Sequence, residues 1–186
     1  MADREVWLVR HGVTEWSRVG RHTGTTDLPL LPEGERVAAG LAPRLAETAF
    51  DLVLTSPPQR AVRTAQLAGF PAAEHDPDLV EWDYGDYEGL TTATIRERVP
   101  GWRVWTHPCP GGESAEQVAA RVDRVLERTV EGRTLLVAHG HVLRVLAARW
   151  LGLPPSEGRL LRLDTATVSV LGLEHDEPVV LRWNTA

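Results

Sequence analysis

The sequence predicts an α/β fold, a three-layer sandwich in which a mainly parallel sheet is covered by helices on both faces. Short apolar runs typical of buried strands alternate with segments of helical periodicity along the 186 residues. Two of the apolar runs end abruptly in a histidine followed by a glycine, at His11 and at His139. Open α/β folds bind ligands at the carboxyl edge of the sheet, so these two ends predict a functional site.

Length and composition indicate one globular domain over residues 1–186. The net charge of −6 argues against a broad nucleic-acid-binding surface, although clustered arginines could still hold a small anion. All 20 basic residues are arginine, which excludes the lysine of a phosphate-binding P-loop and Schiff-base chemistry. The single cysteine, Cys109, cannot form an internal disulfide. No leader or run of transmembrane length is visible, so we expect a cytoplasmic protein without a membrane partner.

The first half of the chain predicts two strands and two long helices. The strands are the short apolar runs at residues 5–10 and 51–55. Residues 11–31 are rich in glycine, threonine and proline and predict a loop. One helix is expected from Pro32 to Thr48, with proline in its first turn, and a second from Ser56 to about Ala68, with Ser56 as its cap.

The second half predicts a short extended segment, three helices and three strands. The segment is Leu79 to Glu81, the helices are Thr91 to Val99, Ser114 to Glu131 and His141 to Leu151, and the strands are Arg133 to Ala138, Val168 to Leu173 and Val179 to Trp183. Ser114 and Gln117 are spaced as a capping box. The last two strands could pair between the subunits of a homodimer or lie at one sheet edge.

Basic side chains fall where strands meet loops or where helices begin. Arg10 ends an apolar strand, so it would be partly buried and would need a partner. Arg60 falls in the first turn of a helix, near unpaired N–H groups and the positive end of the helix dipole. Together with His11 and His139, the two arginines could hold a phosphoryl group. The same cations would disfavour protonation of His11 and keep it nucleophilic.

Five motifs, taken in order, resemble those of the histidine phosphatase superfamily, which has the phosphoglycerate-mutase-like fold. They are Arg10-His11-Gly12 with Thr14 and Trp16, Thr23-Gly24, Arg60 followed by Thr64-Ala65, Glu81 before Tyr84-Gly85, and Ala138-His139-Gly140. The resemblance runs from about residue 5 to residue 152. Arg-His-Gly alone would be a weak signal, whereas the ordered set is highly specific.

The resemblance implies a phosphatase that uses neither a metal nor another cofactor. His11 would attack phosphorus in line and become phosphohistidine, while Arg10, Arg60 and His139 would bind the transferring phosphate. Glu81 would protonate the leaving oxygen and then activate the water that hydrolyses the intermediate. The partner is therefore a small-molecule phosphate ester.

The resemblance also implies contacts to the substrate from Ser17, Thr23, Gly24, Tyr84 and Gly140. Ser17 stands where many members have asparagine, and its hydroxyl is a shorter donor. Residues 22–30, 81–89 and 138–141 look like the fungal sedoheptulose-1,7-bisphosphatase branch and related bacterial phosphatases. That likeness implies a sugar phosphate or bisphosphate as substrate.

Two other functions remain open at this point. A cofactor-dependent phosphoglycerate mutase would use the same core chemistry, but mutases of this family carry a longer insertion than the stretch from Leu90 to Gly112. A non-catalytic phospholigand-binding module would keep the anion pocket and lose the chemistry. It is disfavoured because both His11 and Glu81 are present.

Several residues allow a structural interpretation beside a functional one. The family pattern favours Glu81 over Asp83, and a working acid needs the partly desolvated setting that aromatic neighbours could supply. His139 and His141 could share a strand face as metal ligands, a geometry that is lost if a helix begins at Gly140. Arg103 could contact substrate, or its flanking tryptophans could simply pack a loop. Four further histidines are expected to be solvent-exposed: His22, His75, His107 and His175.

Overall fold

The structure is a computed structural model that describes residues 4–129 and 131–186. Its strands are β1 (Glu5–Arg10), β2 (Leu52–Thr55), β3 (Glu74–His75), β4 (Arg133–Ala138), β5 (Val168–Glu174) and β6 (Glu177–Thr185). They form one sheet in the order β3-β2-β4-β1-β5-β6. The first four strands run parallel, whereas β5 joins β1 and β6 joins β5 antiparallel. The predicted mainly parallel sheet is confirmed.

Seven α-helices lie in the described part of the chain. They are α1 (Glu15–Val19), α2 (Pro32–Ala39), α3 (Ala42–Leu45), α4 (Gln59–Leu67), α5 (Thr92–Arg98), α6 (Ala115–Arg128) and α7 (Gly140–Trp150). Short 3-10 helices occupy Pro77–Leu79, Gly85–Tyr87 and Pro155–Leu160. None of the described helices is long and apolar enough to cross a membrane.

The pleat of β1 divides the core between the two faces of the sheet. Leu8 belongs to a buried cluster with α6 and α7, whereas Trp7 and Val9 belong to a second cluster with α3 and α4. Burial on both faces explains why the parallel strands read as nearly continuous apolar runs. The three-layer arrangement is the one that the alternating pattern predicts.

The expected single helix from Pro32 to Thr48 is wrong. The chain forms α2 and α3 instead, separated by a turn at Gly40 and Leu41. Pro43 lacks the N–H that would continue the hydrogen-bond ladder across this turn, so two short helices replace one. The loop expected over residues 11–31 also contains a short helix, α1. A capping box between Thr14 and Ser17 stabilises the amino-terminal start of this helix.

Three further boundaries differ from expectation. Helix α4 starts at Gln59 with Pro58 in the cap position, so Ser56 is not the cap. Leu79 ends a 3-10 helix where an extended segment was expected, because the preceding Asp76 caps that turn. Helix α6 ends at Arg128 rather than Glu131, and Val130 lies outside the described residues.

The predicted start of α6 is confirmed, and the structure decides between the two arrangements left open for the terminal strands. Ser114 and Gln117 form the expected capping box at the start of α6. The two terminal strands form a hairpin that extends the chain's own sheet, with β6 at its edge. Helix α7 begins at Gly140 and makes His139 its N-cap residue.

Candidate active site

The two histidine–glycine units meet at the carboxyl edge of the sheet. Strands β1 and β4 are parallel neighbours, and Arg10 is in register with Ala138. The next residue of each strand, His11 and His139, therefore leaves the sheet at the same place. Their imidazole rings lie 5.1 Å apart, centre to centre.

His11 is a buried, neutral imidazole. Burial is the main cause that holds its pKa well below the ordinary range, and the charges of Arg10 and Arg60 act in the same direction. Its Nδ1 lies 2.7 Å from the carbonyl oxygen of Gly12, so Nδ1 carries the proton and donates it. The unprotonated Nε2 has no hydrogen-bond partner in the described part of the chain. A neutral histidine with this nitrogen available can act as a nucleophile.

His139 is equally buried, but both of its ring nitrogens are engaged. Nδ1 accepts a hydrogen bond from the Nε–H of Arg60 at 3.1 Å, so the proton lies on Nε2. Nε2 lies 2.7 Å from the hydroxyl oxygen of Ser56 and donates to it. Burial, followed by the charge of Arg60, keeps the pKa of His139 well below its ordinary range.

Arg60 lies in the first turn of α4, as predicted, and is fully buried. Besides the bond to His139, its guanidinium donates to the carbonyl oxygens of Thr23 at 3.3 Å, Gly24 at 3.1 Å and Thr26 at 2.9 Å. The arginine therefore fastens the loop after α1 to the floor of the site. Most of its N–H groups are used by the protein in this arrangement.

Arg10 keeps more of its donors available. It is half-buried and donates to the carbonyl oxygen of Leu163 at 2.6 Å, the partner that its position required. Its Nε is buried and has no partner in the described part of the chain. A Cβ at Gly140 would lie 3.3 Å from both Nε and Cζ of Arg10, so glycine at that position allows the guanidinium to approach the backbone closely.

Glu81 is buried against the amino end of α7. Its carboxylate accepts hydrogen bonds from the backbone N–H groups of His141 at 3.0 Å and Val142 at 2.9 Å, and from Trp82 at 2.9 Å. The helix dipole favours a negative group at this end. Glu81 is 7% exposed, and the three bonds fix the direction of its carboxylate.

A cavity of about 250 Å³ opens at this site. Seven of the ten predicted site residues form its wall: Arg10, His11, Ser17, Thr23, Glu81, Tyr84 and Gly140. The other three, Gly24, Arg60 and His139, are buried and do not line it. Asp83 also lies outside this wall, which separates it from Glu81, its competitor for the acid role.

Two of the predicted substrate contacts have structural tasks. The hydroxyl of Ser17 accepts from the backbone of Thr14 at 2.9 Å and donates to its carbonyl at 3.2 Å, so its proton is already used. Gly24 donates to Glu88, and a Cβ there would come within 2.5 Å of the carbonyl oxygen of Trp82. Glycine is needed at this position because the two chain segments touch.

Tyr84 and His141 are paired across the cavity wall. Burial raises the pKa of the Tyr84 phenol and lowers that of the His141 imidazole well below its ordinary range. The phenol therefore donates to Nδ1 of His141, at 2.6 Å. The same nitrogen lies 4.0 Å from Oε2 of Glu81. Because α7 begins at Gly140, His141 does not share a strand face with His139. Elsewhere too, the described residues contain no cluster of side chains suited to a metal ion.

The expectation that His22 is exposed is wrong. It is 8% exposed, and its ring packs on those of Tyr84 and Trp102. Burial lowers its pKa to about 4. His75 and His175 are exposed as expected, whereas His107 is half-buried. The partners of His22 are distant in sequence, so no local pattern reveals its burial.

Sequence reasoning also missed Arg121 of α6, which braces the acid segment. Its buried guanidinium donates to the carbonyl oxygens of Asp78 at 2.8 Å, Val80 at 2.6 Å and Glu81 at 3.2 Å, and pairs with Glu113. The signal was available, because an arginine interrupts the apolar face of α6. Such a residue is buried and has to find several partners.

Comparisons with known proteins agree with this geometry. A family model of the histidine phosphatase superfamily (branch 1) matches residues 6–186. An acid phosphatase of Mycobacterium tuberculosis is 44% identical over 174 residues, which cover 90% of this chain and 86% of the relative. A sedoheptulose 1,7-bisphosphatase of Saccharomyces cerevisiae is 37% identical over 185 residues, covering 78% of this chain and 67% of the relative.

Other relatives carry a different name, and solved structures share the fold. A probable phosphoglycerate mutase of Cronobacter sakazakii is 33% identical, covering 96% of this chain and 89% of the relative. The solved structure of a Mycobacterium tuberculosis open reading frame product superposes with a TM-score of 0.94 at 41% identity, covering 98% of both chains. The matched family model, these relatives and the geometry of the site lead to one conclusion: the chain belongs to the histidine phosphatase superfamily and is a phosphatase.

Proposed function

We propose that this phosphatase hydrolyses small sugar phosphates or bisphosphates through a phosphohistidine on His11, without a metal. The observation that carries the proposal is the state of His11. Its imidazole is buried and neutral, and Gly12 holds the Nδ1 proton, which leaves Nε2 as the nucleophilic nitrogen. His11 shares its cavity with the cation Arg10 and the carboxyl group of Glu81, the two kinds of group that phosphoryl transfer requires.

In the first step, Nε2 of His11 attacks phosphorus and the bond from phosphorus to the leaving oxygen breaks. Arg10 stabilises the charge on the phosphoryl oxygens, a role supported by its unpartnered Nε. Glu81, protonated at this stage, gives its proton to the leaving oxygen, so that a neutral alcohol departs. Arg60 and His139 reach the phosphoryl group by exchanging some of their present hydrogen bonds.

In the second step, water attacks phosphorus of the phosphohistidine. The Glu81 carboxylate takes the proton from this water, the bond from phosphorus to Nε2 breaks, and inorganic phosphate leaves. His11 returns to its neutral form and Glu81 to its acid form. The three backbone N–H groups on the carboxylate keep it in place through both steps.

The nature of the cavity wall supports a polar, anionic substrate. Besides Arg10, the wall contains two more arginines, Arg21 and Arg144, together with the hydroxyls of Thr23 and Thr92. Arginine favours phosphate, and hydroxyl groups suit the polyol of a sugar. The yeast relative acts, by its name, on a sugar bisphosphate, and the likeness extends this class to the present chain.

The test is release of inorganic phosphate in excess EDTA from sedoheptulose 1,7-bisphosphate, fructose 1,6-bisphosphate, 3-phosphoglycerate, a nucleoside monophosphate and p-nitrophenyl phosphate. We expect release without metal, with one sugar phosphate far ahead. An alkaline quench during turnover of radiolabelled substrate should trap labelled protein, and His11→Ala should abolish the label. Activity that EDTA removes and a metal ion restores would contradict the metal-free mechanism.

A mutase would give a different result in the same assay. It would release little phosphate but interconvert phosphoglycerates once a bisphosphate primer is added. That outcome would keep the role of His11 and replace hydrolysis by transfer to a second hydroxyl.

A further inference from the structure

A second cavity adjoins the first and has no part in the mechanism above. Its volume is about 310 Å³, and it shares three wall residues with the first cavity: His22, Thr92 and His141. Nδ1 of His141 lies 4.0 Å from the carboxylate of Glu81, and its ring centre lies 5.0 Å from that of Trp105. His141 therefore lies beside Glu81 and also forms part of the wall of the second cavity.

Three arginines converge on this second cavity: Arg96, Arg103 and Arg159. No carboxylate is among the described residues that line it, although the chain as a whole carries a net charge of −6. Its two histidines, His22 and His141, add no positive charge because burial lowers the pKa of each. Like charges brought together in a cleft concentrate a positive field and favour an anion.

The three guanidinium groups differ in how far the protein uses them. Arg96 donates its Nε–H to the carbonyl oxygen of Trp102 at 2.9 Å, which fixes its stem. Arg159 is paired with Glu157 at 3.1 Å. The side chain of Arg103 has no hydrogen bond in the described part of the chain and is exposed. Its neighbours in the chain, Trp102 and Val104, are both buried. The backbone of Arg103 is therefore held in place, while its guanidinium N–H groups stay available to a ligand.

We propose that this second cavity binds a second phosphate group of the substrate and so selects bisphosphates over monophosphates. The inference rests on the proposed function, since it assumes that a first phosphate lies at His11. The sugar would pass His141, with one phosphate beside Arg10 and the other beside Arg103 and Arg159. Arginine is suited to this task because its planar fork can donate two parallel hydrogen bonds to phosphate.

The test compares fructose 1,6-bisphosphate with fructose 6-phosphate in wild type and in Arg103→Gln. We expect the ratio of their kcat/KM values to fall about tenfold, the size of one charge-assisted hydrogen bond in a partly exposed site. Adding Arg159→Gln should lower the ratio further, and Arg103→Lys should restore part of it. Arg98→Gln is the matched control, because it removes the same charge from α5 outside the cavity wall and should leave the ratio unchanged.

A binding measurement tests the subsite independently of catalysis, and so independently of the proposed function. In a His11→Ala background, titration with each fructose phosphate is followed by tryptophan fluorescence, since Trp102 and Trp105 line the second cavity. Arg103→Gln should weaken the bisphosphate about tenfold more than the monophosphate. Equal losses for both ligands, or an equal loss in Arg98→Gln, would overturn the subsite. If wild type releases no phosphate but this binding difference persists, the subsite stands and the proposed function fails.

Discussion

His11 and His139 are a matched pair with different hydrogen bonds. Both follow the last residue of a central parallel strand, both are buried, and both have a pKa held well below its ordinary range. His11 uses only Nδ1, on the carbonyl of Gly12, whereas His139 uses Nδ1 with Arg60 and Nε2 with Ser56. One imidazole keeps a nitrogen without a hydrogen-bond partner, whereas both nitrogens of the other are engaged and can meet a phosphate only by exchanging a bond.

The difference teaches that burial and charge do not by themselves define a nucleophile. They make both histidines neutral, and only the hydrogen-bond partners distinguish them. The partner of His11 is its own neighbour in the chain. The partners of His139 come from the segment that follows β2, which packs beneath it.

The largest expected effect is that of His11→Ala. Loss of the proposed nucleophile should lower kcat for phosphate release by about 10⁴-fold or more, because the phosphohistidine can then no longer form on this residue. Steady-state release of phosphate from p-nitrophenyl phosphate measures it. His75→Ala, which removes an exposed histidine, is the control and should behave as wild type. A His11→Ala enzyme within tenfold of wild type would show that the two histidines do not differ as described.

Next in size is Glu81→Gln, which keeps the shape of the side chain and removes its acid. We expect kcat to fall by about 10²–10⁴-fold for a sugar phosphate, and by less for p-nitrophenyl phosphate, because the p-nitrophenolate anion is stable enough to leave without receiving a proton. Stopped assays with both substrates measure the two losses. Asp83→Asn is the matched control, and a larger loss in that variant would transfer the acid role to Asp83.

Ser56→Ala tests the framework half of the comparison. It removes the acceptor of the Nε2–H group of His139 in a fully buried place, which should lower the free energy of unfolding by about 1–3 kcal/mol. Urea denaturation at pH 7 measures the change. Ser156→Ala alters a half-buried serine whose hydroxyl makes no hydrogen bond in the described structure, and should stay within about 0.5 kcal/mol of wild type. If both variants unfold alike, His139 is not held by Ser56.

The smallest effect is a shift in pH dependence. Only neutral His11 has a lone pair on Nε2, so kcat/KM should fall as pH decreases through the lowered pKa of His11, below the ordinary value of 6.5. Arg10→Gln removes a cation that helps to lower this pKa, and the acid limb should then move to higher pH. Profiles for p-nitrophenyl phosphate, corrected for the second ionisation of the phosphate, report the limb. A limb that stays in place in Arg10→Gln would contradict the effect of that charge.

The features of the fold that could be predicted from the sequence are those set by residues close together in the chain. The capping box of Ser114 and Gln117 joins residues three apart, so its spacing is visible in the chain itself. The break between α2 and α3 is equally local, because it follows from the missing N–H of Pro43, a residue within the expected helix. The exact start of α4 could not be predicted, because the hydroxyl of Ser56 does not cap this helix. It accepts a hydrogen bond from His139, 83 residues away in the chain.

The sequence by itself determined the alternation of strands and helices and placed Arg10, His11, Arg60 and His139 at strand ends and helix starts. Those features follow from periodicity and from residue types within a few positions of one another. Only the tertiary structure decided which nitrogen of each histidine is available, that His22 is buried, and that three arginines surround a second cavity. These properties depend on side chains that lie far apart along the chain and meet only when the layers pack.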